Sequence, residues 1–592
     1  MLHKLDALFS RPVCRLGLGA LLSVLTLLIF LYPAHLTNQS HPVESMYVFS
    51  NLPLFGALFF VWFAVLLSLA LSKGSEKTRN LENVVLVAIF TLVFSGIWVS
   101  LRGSYAGEAS RDASNIAYIN LHGFLPLAGN LYRHDFPGMA ILGSMVSQVS
   151  GLVDFDVLAV LQLLYILVFP IVLYVVFRKV LDDLRWATIG TLLTITGSIM
   201  VDKQLFIFHP SSFAIFFLFT PFVLLLTHER SRGFGTVPSV LLLLIFMVAL
   251  TATHFVTSGV LILVLLGVYL LQRFNRKTLV TITTICLCLT LLLVWEMYHA
   301  GSNFAGMSGL VPRMVEDFRQ GIFMSGYAAG LAGSYTSETS PLWVNLTRYL
   351  WVVLLLVFAA ILAVRNVLRA RRLSETEVWI TGGLLGIGLL TVIGIIASGM
   401  NEGYRVLVYA PFFSAPLVVL FFHKLRAPLR QYAGAALACL LVGLVFPTFL
   451  AHNNTVGTTA YYSYEFDGYE WLREQYGNKS DVYLAGGKAP LDYYFEPPIV
   501  HYVGASLQFA PEQSIAGMLA DKLNSIDTLE KMSRLYDSMY IFEAGEETAQ
   551  FEHLLDFNPV NSPEWQGFLQ RLNQQNRIYD NGYMQFYKFG SG

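Results

Sequence analysis

Thirteen apolar runs, most of them long enough to cross a bilayer, constrain this chain more than any other feature. They lie near residues 14–32, 51–72, 84–101, 155–178, 186–201, 210–227, 237–253, 255–271, 278–298, 343–364, 378–398, 405–423 and 431–450. A helix needs about 20 mostly apolar residues to span the hydrocarbon core, and a soluble fold has no use for so many. Composition agrees: the chain is 55% hydrophobic and 13% charged, with a mean hydropathy of +0.58. Soluble globules carry about 25% charged residues. Disorder, a collagen-like repeat and a disulfide scaffold are excluded on the same figures. The four cysteines, Cys14, Cys286, Cys288 and Cys439, sit in or beside apolar runs and have no metal-ligand spacing.

The net charge of −1 hides two opposed parts. Residues 1–450 carry 29 Lys and Arg against 20 Asp and Glu, whereas residues 451–592 carry 9 against 19. Within the first part the basic residues alternate. Twenty-one of them fall in one set of connections: Lys4, Arg11 and Arg15; Lys73, Lys77 and Arg79; Arg178, Lys179 and Arg185; Arg230 and Arg232; Arg273, Arg276 and Lys277; Arg365, Arg369, Arg371 and Arg372; and Lys424, Arg426 and Arg430. The other set holds Arg102, Arg111, Arg133, Lys203, Arg313, Arg319 and Arg405. Cytoplasmic loops are the Lys- and Arg-rich ones, so the N-terminus is expected inside and the acidic tail outside. The first run is too long and too basic-flanked to read as a cleaved leader.

Two outer loops are long, 102–136 and 299–342. A stretch over 137–152, opening with Phe136-Pro137-Gly138, is too short to span and is expected to be an interfacial or re-entrant helix. The tail, 451–592, reads as a small α/β domain. Strands are expected at 481–486 and 538–542, helices at 467–474 and 514–536, and a hairpin around Asn581-Gly582. Gly486-Gly487-Lys488 lacks the spacing of a phosphate-binding loop.

Polar residues at the outer ends carry whatever chemistry the chain performs. Glu108 and Asp112 are four apart, so a helix sets both carboxylates on one face, and Asp135 follows immediately before the short helix. Such acids can act as a general base, as metal ligands or as solvated loop charges. Phe208-His209-Pro210 opens one span, and Thr253-His254-Phe255-Val256-Thr257 marks the turn between two others. Glu402-Gly403-Tyr404-Arg405 enters a late one.

Together, Asp112-x5-Tyr118, Tyr132, Asp135, the Phe-Pro-Gly start, the His-Pro and His-x-x-Thr segments and the late Arg405 resemble prokaryotic members of the GT-C superfamily of membrane glycosyltransferases. The resemblance covers roughly 84–450. It implies a polytopic helical enzyme that takes a sugar from a polyprenyl-phosphate donor to an acceptor hydroxyl at the outer face of the cell membrane, with inversion. Asp112 carries over as the base, Asp135 as the second acid and Glu108 as a partner. A leaving lipid phosphate needs cations to hold it, and Arg405 is the leading candidate, with His254, His209 and Lys203 as outer-face helpers. The alternative expectation for Asp112 with Asp135 is that they bind a divalent cation such as Mg or Mn. Residues 1–83 then form an N-terminal transmembrane hairpin added before the catalytic core at 84–450, because the acidic loop follows the third span here and the first in that family. The Trp-Trp-Asp signature of oligosaccharyltransferase catalytic subunits is absent. The expected partners are the lipid-linked donor, a glycan, lipid or protein acceptor and the bilayer, with no nucleic acid. A lipid-linked glycan flippase or other transporter would share the basic inner loops but place its charges near the midplane. An O-antigen-type ligase or polymerase would put its key residues in a late loop rich in Arg and His.

Overall fold

A computed structural model describes residues 108–123, 135–201 apart from 153 and 182, 210–218, 237–275, 279–304 apart from 302, 342–398, 406–453, 482–485, 500–502, 539–544, 563–580 and 585–589, and some of those near 17–25, 57–67, 82–88, 471–475 and 526–533. The expected spans at 14–32, 51–72 and 84–101 lie largely outside the described residues, which do not test the number thirteen.

The remaining runs are helices. In chain order they are α1 Glu108–His122, α2 Gly138–Ser150, α3 Asp154–Leu181, α4 Leu184–Val201, α5 Val237–Thr253, α6 Phe255–Asn275, α7 Ile282–Tyr298, α8 Leu342–Leu368, α9 Glu375–Ser398, α10 Pro411–His423 and α11 Ala427–Asn453. Residues 210–218 are also helical. Five of these helices are long and apolar enough to cross a membrane: Asp156–Leu181, Phe255–Asn275, Leu350–Leu368, Glu375–Ile393 and Ala427–Leu444. Their outward faces are apolar too. Val353, Val357, Ile361 and Val364 of α8 are each more than half exposed, a stripe that water would penalise and lipid accepts. The chain is therefore a mostly helical membrane protein.

Contacts between helix ends fall into two groups. At one end, Asn275 donates to the carbonyls of Ala370 (2.6 Å) and Leu373 (3.0 Å), Lys424 pairs with Glu377 (2.7 Å), and Trp186 meets the His423 ring at 6.0 Å. Arg365 lies over the Phe421 ring there as well. At the opposite end, the Trp295 indole donates to the Asp135 carbonyl, Ser198 donates to the Val408 carbonyl, and Thr257 bonds Tyr409. The first group joins termini beside the Lys- and Arg-rich connections, and the second joins only termini beside the poor ones. Side-chain geometry thus separates the same two sets of ends that charge separates.

Backbone packs on backbone where α6 crosses α9. A Cβ placed on Gly267 would fall inside the Gly382 carbonyl oxygen, and one on Gly386 inside the Leu263 carbonyl oxygen. Only glycine permits that approach, the usual device where lipid gives no hydrophobic reason for helices to associate. The α2 helix matches the expected short element. Met139, Ala140, Gly143, Ser144 and Ser147 are buried against neighbouring helices, while Ile141, Met145 and Val149 form an exposed apolar stripe four residues apart. That pattern suits a helix lying at the lipid boundary.

In the tail, five described strands form a mixed sheet in the order β2-β1-β3-β5-β4, where β1 is Val482–Ala485, β2 Val500–Tyr502, β3 Met539–Ala544, β4 Asn576–Asp580 and β5 Gln585–Phe589. β1 pairs in parallel with β2 and β3, and β5 pairs antiparallel with β3 and β4. The expected strands at 481–486 and 538–542 and the hairpin are present. The hairpin closes at Asp580 and Gln585, so Asn581-Gly582 belong to a four-residue connection, not to a two-residue turn. β2 and the helix Pro563–Leu572, α12, were not anticipated. Gly486-Gly487-Lys488 lies outside the described residues.

The helix crossing yields a direct test. Gly386→Ala should lower stability in detergent by about 1–3 kcal/mol, the usual cost of overpacking, because backbone must move. Gly388→Ala, whose Cβ meets nothing within 4 Å, should leave the unfolding temperature nearly unchanged. Equal effects of the two would contradict the close crossing.

Candidate active site

Asp112 lies in α1 and Asp135 just ahead of α2, and both are buried, with 3% and 7% exposure. The two helices run side by side in a fixed register. Ile116 fills the space over Gly143, and Asn120 bonds Ser147 (3.0 Å) and Ser144 (2.7 Å). Residue 116 thus faces 143 and residue 120 faces 147, so the helices are parallel, with partners 27 apart. One turn back, Asp112 comes level with Met139, close to the start of α2, and Asp135 lies just ahead of that start, across the non-helical Phe136 and Pro137. Asp112, Ala113, Asn115 and Ile116 are all buried, so the inward face of α1 carries the acid. Glu108 is the first residue of α1.

The start of α2 is wedged against the turn that holds His254. A Cβ on Gly138 would lie 2.6 Å from Thr253 Oγ1 and 3.0 Å from the Ala252 carbonyl oxygen, so glycine is required there. The rings of Phe136 and Phe255 meet at 6.5 Å across the same junction. The Phe-Pro-Gly and Thr-His-Phe segments, more than a hundred residues apart in sequence, are neighbours. His254 is the one non-helical residue between α5 and α6, and its ring caps α6. Nδ1 faces Thr257 Oγ1 at 2.9 Å and accepts the Thr257 backbone N–H at 3.3 Å. Thr257 Oγ1 in turn meets Tyr409 OH at 2.6 Å. The chain just after Arg405 therefore reaches the same place.

Residues at the end of α7 complete the cluster. The Trp295 indole N–H donates to the Asp135 carbonyl (3.0 Å), and the Asn303 backbone N–H donates to Asp135 Oδ2 (3.0 Å). Asn303 Nδ2 donates to Glu296 Oε2 at 2.7 Å, while Glu296 Oε1 is buried with no partner among the described residues. His299, one turn on, stacks near Trp295 with ring centres 4.4 Å apart, and its Nε2 is buried without a described partner. Asn303 thus links two buried carboxylates, an arrangement that concentrates negative charge at the bundle end bearing Asp135.

Of the residues singled out from sequence, Asp135 and His254 belong to one contiguous set of contacts, and Asp112 lies on α1 level with Met139 near the start of α2. Arg405, His209, Lys203, Arg313, Arg319 and the side chain of Glu108 lie outside the described residues. Glu296, His299, Asn303 and Tyr409 were missed. Glu296, an acid near the end of an apolar run, and His299, which opens the second long loop, were the available signals. Among the described residues no three His, Cys, Asp or Glu side chains are close enough together to hold a metal ion. The cation expected at Asp112 and Asp135 has no third ligand of these types among them.

Glu296→Gln tests the electrostatic reading. The amide keeps an oxygen for Asn303 but removes a negative charge from beside Asp135, so it should raise stability by about 1 kcal/mol. Glu296→Ala, which strands the Asn303 amide, should lower it by a similar amount or more. A fall in unfolding temperature for Glu296→Gln would contradict the picture.

No family model matches this chain, and no curated protein does. Among solved structures, the chain is similar to a crystal structure of the Archaeoglobus fulgidus oligosaccharyltransferase in its apo form. The identity is 12% and the TM-score 0.45, over 83% of this chain and 72% of that one. A likeness at this level assigns no role to any residue.

Proposed function

We propose that this protein is a membrane glycosyltransferase that moves a sugar from a polyprenyl-phosphate donor to an acceptor hydroxyl at the outer membrane face, with Asp112 as general base. The observation that carries this reading is the placement of two buried acids, Asp112 on α1 and Asp135 just ahead of the parallel α2, at the end of the bundle that also holds His254. A buried carboxylate costs several kcal/mol unless hydrogen bonds or an opposite charge offset it.

The reaction assigns each group one task. Asp112 takes the acceptor hydroxyl proton as the oxygen attacks the anomeric carbon from the side opposite the phosphate, so the new bond inverts the centre. The bond from that carbon to the phosphate oxygen breaks, and the electron pair leaves with the lipid phosphate. That group already carries charge, needs no strong acid, and gains most from donors placed before it arrives. His254 is the described candidate; Arg405, His209 and Lys203 are assigned to the same task by sequence alone. Asp135, fixed by Asn303 and Trp295, orients the acceptor. The basic connections at the other end of the bundle support an outer position for this site.

A transporter of lipid-linked glycans is the second reading. Clustering of the polar groups at helix ends, not at mid-helix, favours transfer. The test is transfer by purified protein from a panel of polyprenyl-phosphate sugars. Asp112→Asn should lower kcat by about a hundredfold or more, the usual share of a general base, while Asp112→Glu keeps part of the activity. Undiminished transfer by Asp112→Asn would overturn the base assignment. Translocation without transfer would favour the transporter.

A further inference from the structure

The hydrogen bonds around His254 fix which of its ring nitrogens carries the proton. A backbone N–H can only donate, and the Thr257 N–H points at Nδ1 at 3.3 Å, so Nδ1 must offer its lone pair. This is the bond by which His254 caps α6, satisfying one of the amide groups that a helix start leaves without a partner. Thr257 Oγ1 lies 2.9 Å from the same nitrogen, and with Nδ1 accepting, the hydroxyl proton of Thr257 must point toward it. Thr257 Oγ1 has then given away its one proton, so at 2.6 Å from Tyr409 OH it must accept from the tyrosine. The chain runs in one direction: Tyr409 donates to Thr257, Thr257 donates to His254 Nδ1, and the neutral ring carries its hydrogen on Nε2. Both Thr257 (0% exposed) and Tyr409 (3%) are buried, so water does not compete for these bonds. A surface histidine exchanges tautomers freely; this one is held by two donors on one nitrogen.

We infer that Thr257 and Tyr409 are positioning residues that hold His254 as its Nε2–H tautomer, so that the ring meets a phosphate-ester oxygen of the donor as a hydrogen-bond donor without first taking up a proton. The second half rests on the proposed function; the tautomer itself does not. A histidine with Nε2 unprotonated would present a lone pair to the phosphate and repel it. Donation from the neutral ring adds no charge to the site. The Tyr409 bond also ties the segment that follows Arg405 to the His254 turn, so two outer-face elements share one orientation.

The test is 15N spectroscopy of the full-length protein, labelled at histidine, in lipid nanodiscs, with the His254 signals identified by their loss in His254→Gln. At a pH where the ring is neutral, His254 should show a protonated Nε2 and an unprotonated Nδ1. Thr257→Val removes one of the two donors to Nδ1, and the ratio of tautomers should fall about fivefold. Thr257→Ser should restore it, and Tyr409→Phe should give an intermediate loss. A wild-type ring with its hydrogen on Nδ1, or a ratio that Thr257→Val leaves unchanged, would overturn the inference. Adding a polyprenyl phosphate to the wild type should shift the Nε2 signal, and inorganic phosphate at the same concentration should shift it less. A fixed tautomer that responds to neither phosphate would leave the lock standing and remove its proposed use. Transfer that needs His254 with the opposite tautomer would remove the lock and leave the function standing.

Discussion

A carboxylate cannot be buried among hydrocarbon side chains without donors, and in a bundle of apolar helices donors are found where helices begin and end. Mid-helix, every backbone N–H is already committed. Asp135 shows the consequence. Its Oδ2 takes a backbone N–H from Asn303, beyond the end of α7, and its carbonyl takes the indole of Trp295, in the last turn of α7. Three residues on, Gly138 packs against Thr253, so α2, α5, α6 and α7 meet at the same end. The site is a product of helix termini, and the apolar middles fix only how far apart those termini stand.

Helix packing supplies the precision. The α6–α9 crossing, with glycine backbone against backbone, leaves α6 no freedom to slide, so its first turn, with Thr257 and the His254 that caps it, is held at a fixed height. The α1–α2 pair is locked differently, through Asn120 bonding Ser144 and Ser147. That polar clasp sets the register that brings Asp112 level with the first turn of α2. Small residues and amide clasps do in lipid what interlocking apolar side chains do in water.

Much of this was legible in the sequence, for identifiable reasons. Hydropathy marks apolar runs of about bilayer length, and every one of the thirteen expected runs has described residues that are helical. The alternation of Lys and Arg sorts their ends, because charge is expensive in hydrocarbon and is read by local position alone. Phe136-Pro137-Gly138 announces a helix start by local chemistry, and α2 follows it. The partners of those residues were not legible. Asn303 reaches Asp135 across 168 residues and Tyr409 reaches Thr257 across 152, and nothing in either neighbourhood marks a contact at that range. Glu296 reads as the polar end of a span until Asn303 and Asp135 are seen beside it. In the tail, β2 is three residues long, too short to show an alternating pattern, and its place at the sheet edge depends on β1.

The central claim is that the end of the bundle bearing Asp135 and His254 receives a lipid-linked phosphate sugar. Photocrosslinking in native membranes measures this most directly, with a polyprenyl phosphate carrying a diazirine close to its phosphate and the attached peptides mapped by mass spectrometry. The account predicts attachment within 135–138, 252–257 and 295–303, reduced by competing unlabelled lipid phosphate. Attachment instead within 272–280 and 366–377, at the basic end of the same helices, would contradict it.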